Sequence, residues 1–88
     1  MKKQFTEEGK FLKAAREKSR MTQAELAEEL GDVHVQFVSN WERGLCQPPM
    51  HKYRKLIKFL KINEVDLRYE MLRDAENQIR FLPCFRRQ

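Results

Sequence analysis

Apolar residues recur along this chain at helical spacing, and five segments carry the pattern. Phe11, Leu12 and Ala15 form the face of a first helix that opens at Phe5-Thr6 and ends near Ser19. Thr6 is its expected N-cap, with Glu7 and Glu8 in a first turn where acids suit the helix dipole. A second helix starts at Thr22. Its opening "TQAE" is a capping box, in which Thr22 caps the amide of Glu25 and Glu25 reaches back. Leu26, Ala27 and Leu30 point inward, and Gly31 stops the helix as a left-handed residue would.

The segment "HVQFVSNWERG", residues 34–44, divides into two stripes when wound as a helix from Val35 to Arg43. Val38, Trp41 and Leu45 make an apolar stripe; Gln36, Asn40 and Arg43 make a polar one. A helix this short cannot stand alone in water, so the apolar stripe must pack and the polar stripe is left facing out. Gly44 closes it, and the loop "LCQPP" forbids continuation, since Pro48 and Pro49 cannot extend a helix. A fourth helix is expected from Met50 to Leu60, with Tyr53, Leu56, Ile57 and Leu60 as its apolar face.

Asn63 can cap a fifth helix running from Glu64 to about Phe81, ended by Pro83. Val65, Leu67 or Tyr69, and Leu72 are expected to close the core. Leu72, Ala75, Ile79 and Leu82 then follow with 3-4-3 spacing, a short heptad-like seam suited to a second copy of the chain. The alternative is that this stretch folds back on the first helix. The organisation is thus a compact all-α domain over 1–72 with a helical extension and tail over 73–88, a dimerisation or partner segment.

At 88 residues the chain is one small domain. With 41% hydrophobic residues it holds enough apolar material for a core. Three Gly and three Pro leave little room for the turns of an all-β fold. The formal net charge of +5 suits a nucleic-acid partner, though charge alone is weak support. Its distribution is more informative: "MHKYRKLIKFLK", residues 50–61, holds Lys52, Arg54, Lys55, Lys58 and Lys61 and no acid. Cys46 and Cys84 form no C-x-x-C pair, and with His34 and His51 they match no metal-ligand spacing, so two free thiols and no metal or other cofactor are expected. "MKKQFTEEGKFLKAA" lacks the apolar run of a signal peptide, and nothing approaches a membrane span, so a cytoplasmic setting is expected. No Gly-rich phosphate loop or nucleophile–base motif points to an enzyme, and no small-molecule ligand is evident.

Two short helices joined by a tight turn, the second with a polar outer face, read as a helix-turn-helix. "MTQAELAEELG" followed by "VSNWERG" and a Pro-containing loop resembles the lambda-repressor-like helix-turn-helix family, of the Cro and phage-repressor type found in prokaryotes and phages. The resemblance covers about residues 10–67, and its strength lies in several elements occurring together. It implies a five-helix domain that binds double-stranded DNA. It also implies that Gln23 anchors a phosphate and that Arg16 and Glu42 form an ion pair tying the first helix to the end of the third. In one respect the sequence departs from the family pattern. Seven residues, "DVHVQFV", separate Gly31 from Ser39 where six are usual, and His34 stands where a Ser or Thr cap is common.

Counting back from Glu42, the resemblance puts Val35, Gln36 and Asn40 on base-reading positions, with Phe37 and Ser39 beside them near the backbone. An amide side chain offers a donor and an acceptor, so Gln36 or Asn40 can pair with adenine N6 and N7, and Val35 and Phe37 suit thymine methyls. Arg43, Lys52 and Lys55 are then candidates to hold phosphates, which position a protein without carrying sequence information. The function expected is a sequence-specific transcriptional regulator, a repressor acting as a homodimer on an inverted repeat, with a regulatory protein partner as a further possibility. The alternative is an adaptor or antitoxin-like protein that kept the fold and acts through a protein partner.

Overall fold

A computed structural model describes residues 4–80. Phe81, Leu82 and the rest of the tail, Cys84 included, lie outside the described residues, as does the expected helix end at Pro83. The described chain is all helical: α1 (Thr6–Lys18), α2 (Gln23–Leu30), α3 (Val35–Glu42), a 3₁₀ turn (Met50–Lys52) leading into α4 (Tyr53–Leu60), and α5 (Glu64–Arg80). The fourth helix therefore begins as a tighter turn than its sequence suggests, directly after Pro49.

α1 packs on both α3 and α5, while α2 packs on α3 and α4. Leu12, Leu26, Leu30, Val38, Trp41, Leu56, Leu60 and Leu67 fill the space between them, joined by Ala27, Tyr53 and Ile62. Phe11, Ala15 and Ile57 cover the edges of this core. Close approach of α1 to α3 depends on Gly9. A Cβ there would sit 2.6 Å from the carbonyl oxygen of Trp41 and 2.7 Å from that of Glu42, both backbone atoms that cannot swing aside.

The buried face of α1 is not wholly apolar. Glu8, Leu12 and Arg16 share it at i, i+4, i+8, and all three are buried. Glu8 accepts hydrogen bonds from the Tyr53 hydroxyl and, at 3.0 Å, from the Gln47 amide. Burial and the adjacent Glu8 carboxylate push the Tyr53 phenol far above its ordinary value, so it stays protonated. No buried side-chain polar atom among the described residues lacks a partner.

Two expectations about the ends of the molecule are corrected. Thr6 does not cap α1; it is the helix's first residue, and Phe5 at the cap position offers no side-chain bond. The cap comes from α5 instead. Asp74 accepts from the backbone amides of Glu7 and Glu8, each at 2.9 Å, with its oxygens shared one to each. A buried carboxylate is favourable here because the free amides and the helix dipole both present positive charge.

The second correction concerns which face of α5 closes the core. Leu67 is buried and Met71 half-buried, but Val65, Tyr69 and Leu72 stand in solvent at 67%, 61% and 62% exposure. The inward row is Leu67, Met71 and Asp74, with Gln78 reaching back to the Gln4 carbonyl. Geometry chooses this row because Asp74 must meet the α1 amides. α5 runs unbroken through residues 72–73, and its Asn63 cap accepts from the amide of Val65 at 2.9 Å.

Candidate nucleic-acid interface

The centre of the candidate site is α2, the turn 31–34, and α3. α2 begins with a reciprocal capping box: the Thr22 hydroxyl accepts from the Glu25 amide at 3.0 Å, and the Glu25 carboxylate accepts from the Thr22 amide at 2.8 Å. It ends at Gly31, whose φ of +102° lies where side chains are disfavoured. The turn extends from Gly31 to His34. His34 has extended backbone and caps α3 itself, its Nδ1 accepting from the Gln36 amide at 3.0 Å. Imidazole thus does the work of the commoner hydroxyl.

Lys52 lies elsewhere than a phosphate contact would require. Its side chain is buried, and Nζ donates to the Leu30 carbonyl at 3.2 Å and to Asp32 Oδ1 at 2.7 Å. It therefore closes the C-terminus of α2 and pins the turn. The Lys52 ammonium in turn holds the Asp32 carboxyl below its ordinary value. A lysine within a basic run reads as solvent-facing; the unpaired carbonyls at the end of α2 draw this one inward.

α3 separates its faces as its two stripes require. Val38, Trp41 and Glu42 are buried. Val35, Gln36, Phe37 and Arg43 are exposed, with Ser39 and Asn40 at the boundary. Leu45 is half-buried beyond the helix end. Along the polar stripe the side chains are joined: Asn40 Oδ1 accepts from Gln36 Nε2 and from Arg43 Nη2, both at 3.1 Å. Phe37, more than half exposed, lines an open cleft together with Cys46, Pro49 and His51 from the segment after α3.

The inner end of α3 is held by a buried ion pair. Arg16 Nε donates to Glu42 Oε2 at 2.6 Å and Nη2 to Oε1 at 3.2 Å, while Nη1 donates to the Met21 carbonyl at 2.6 Å. The Glu42 carboxylate raises the Arg16 pKa further above its ordinary value. Gln23 joins this group, its Nε2 donating to Glu42 Oε1 at 2.9 Å. One Nε2 proton and the carbonyl oxygen of Gln23 remain outside that bond. Lys55 is exposed, as are Arg54 and Lys58.

Asp74 and Gly9 carry no local signal of their structural importance, because each acts on a backbone distant in the chain. The row Glu8–Leu12–Arg16 was a usable signal: charges in line with a core leucine imply partners waiting inside. Among the described residues no group of His, Cys, Asp and Glu could hold a metal, and no helix is long and apolar enough to cross a membrane.

A capped helix, a pinned turn and a second helix with a hydrogen-bonded polar outer face define a helix-turn-helix. A helix-turn-helix family model matches residues 12–67, and the chain belongs to this family, in its lambda-repressor-like, Cro and phage-repressor branch. Membership implies DNA binding and, through it, transcriptional regulation; the family is typically non-catalytic. A comparison with curated proteins found no match.

Proposed function

We propose that the chain is a transcriptional repressor that binds an inverted repeat as a homodimer, with α3 in the major groove. The observation that carries this reading is the joined stripe Gln36–Asn40–Arg43 on the exposed side of a helix anchored at its other side. Side chains that hold one another in place lose less freedom when they meet a base edge. Val35, Gln36 and Asn40 form the base-reading group. Gln23, Phe37, Ser39, Arg43 and Lys55 flank it along the phosphates, where the free Gln23 proton is available at the start of α2. Lys52 is withdrawn from this set, being committed to Leu30 and Asp32.

The dimer is supported by α5. Leu72, Ala75 and Ile79 face solvent in one line with Val65 and Tyr69; Leu82, the fourth residue of the expected seam, lies outside the described residues. An apolar line of this length on a small domain calls for a covering partner. Two copies would present their third helices to successive major grooves about 34 Å apart. The same apolar line also suits a protein partner, as the adaptor or antitoxin-like reading requires; salt dependence separates the two readings.

The test is selection from a random double-stranded DNA library, followed by affinity measurement across salt. A short inverted repeat is expected, with a log–log salt slope of about 0.9 per phosphate neutralised. Gln36→Ala should flatten base preference at one position, costing about 1–3 kcal/mol of discrimination. Ile79→Asp should halve the sedimenting mass. Weak binding without enrichment, insensitive to salt, would overturn the repressor reading.

A further inference from the structure

We infer that Lys52 is a specificity-determining residue that touches no DNA. It is a positioning residue: by tying the turn 31–34 to the start of α4, it fixes the leading end of α3. The inference rests on the DNA-reading role proposed above and adds the side chain that holds its geometry.

The two ends of α3 are held in different ways. At the C-terminal end the anchorage is broad. Arg16 and Gln23 both bond Glu42, and the α1 backbone at Gly9 lies against the carbonyls of Trp41 and Glu42. The other end, where Val35 and Gln36 stand exposed, follows directly from the turn.

That turn has little backbone bonding of its own. The Gly31 amide donates to the Glu28 carbonyl at 3.1 Å, which ends α2. Beyond it, the amides of Asp32, Val33 and His34 donate to no backbone carbonyl among the described residues. The His34 cap joins α3 only to its own first turn. A Cβ at Gly31 would meet nothing within 4 Å, so the natural pivot of the turn has no steric support.

Lys52 supplies the missing restraint. Nζ donates to the Leu30 carbonyl, 22 residues back in the chain, and to Asp32 Oδ1, one bond on each side of Gly31. Lys52 is buried, so these acceptors take the place of water at Nζ. The 3₁₀ turn after Pro49 sets where the side chain begins. α2 packs on both α3 and α4, so a strut from the start of α4 to the turn closes a triangle.

Geometry decides what the strut governs. Base readout needs side chains held within about 0.5 Å of the productive place. A shift of that size at the leading end of α3 forfeits bonds to base edges. It spares phosphate contacts, which position a protein without reading sequence. Loss of Lys52 is therefore felt as lost discrimination before lost affinity.

The experiment uses the full chain, the operator recovered by selection and a random duplex of equal length. Affinities are measured across salt by fluorescence anisotropy, at a temperature where urea titration shows each variant fully folded. The readout is the operator-to-random ratio, which a merely structural role would not move in folded protein. Lys52→Met, similar in length but uncharged, should lower the ratio about tenfold, the value of one bidentate base contact. Its salt slope on random DNA should match the parent's, because no phosphate ligand is removed. Asp32 provides the second variant, since its side chain is exposed and its replacement leaves the core intact. Asp32→Asn keeps an acceptor for Lys52 and should keep most of the ratio. Asp32→Lys adds positive charge, which by itself strengthens binding to every sequence, yet it should lower the ratio. An unchanged ratio in Lys52→Met and Asp32→Lys overturns the inference and leaves the repressor reading standing. Equal loss on both duplexes with a lower salt slope makes Lys52 a phosphate ligand and also overturns it. Should Lys52→Met not fold, Asp32→Lys decides alone. Failure to select any sequence overturns the repressor reading and this inference with it.

Discussion

α3 and α5 have the same kind of pattern and opposite outcomes. On α3 the apolar stripe is buried and the polar stripe faces out. On α5 the more apolar row, Val65, Tyr69, Leu72 and Ile79, faces solvent, and the row that turns inward includes Asp74. The difference comes from position. α3 lies between α1 and α2, so its apolar stripe has neighbours to pack on. α5 packs on α1 alone among the major contacts, and what α1 offers at its start is a set of free amides. A carboxylate answers those amides better than a leucine can. Periodicity says that a helix has faces; what the neighbour presents decides which one is used.

Substitutions can break this contrast in order of size. Glu42→Ala removes the partner of a buried guanidinium and should destabilise the fold by about 3–5 kcal/mol, read as a lower urea midpoint at unchanged slope. Asp74→Ala strips two amides of a charged acceptor and should cost about 2 kcal/mol, a fall in Tm of about 4–8 °C for each kcal/mol lost. If Asp74→Ala changes nothing, α5 is docked by its apolar residues and the contrast with α3 fails. His34→Ser replaces an imidazole cap by a stronger one and should raise stability by less than about 1 kcal/mol in the same denaturation. Ile79→Asp, measured where the chain is monomeric, should shift stability by no more than about 0.5 kcal/mol, because more than half of that residue's surface stands in solvent.

What could be read from the sequence was mostly local. The capping box at Thr22–Glu25, the stop at Gly31, the Asn63 cap and the two stripes of α3 depend on neighbours within four residues, and each stands in the structure. The family resemblance over residues 10–67 matches the family model over 12–67. The readings that failed required knowledge of a distant backbone. Thr6 had every local qualification as a cap, yet the helix starts one residue earlier and takes its cap from Asp74. Lys52 belonged by charge to a solvated run, yet the end of α2, twenty-two residues away, holds it. In the site itself the candidate bases of recognition were visible as residues, but not that Gln36 and Arg43 both donate to Asn40.

The bond between Asp74 and the start of α1 also orders events in time. Its partners are 67 and 66 residues apart, so a ribosome delivers α1 long before the group that completes it. Until then the first turn of α1 is free to fray, and a contact of such high sequence separation belongs to the late steps of folding. The amides of Glu7 and Glu8 therefore act as a clock. Their protection from hydrogen exchange in nascent or truncated chains marks the moment at which the last helix arrives.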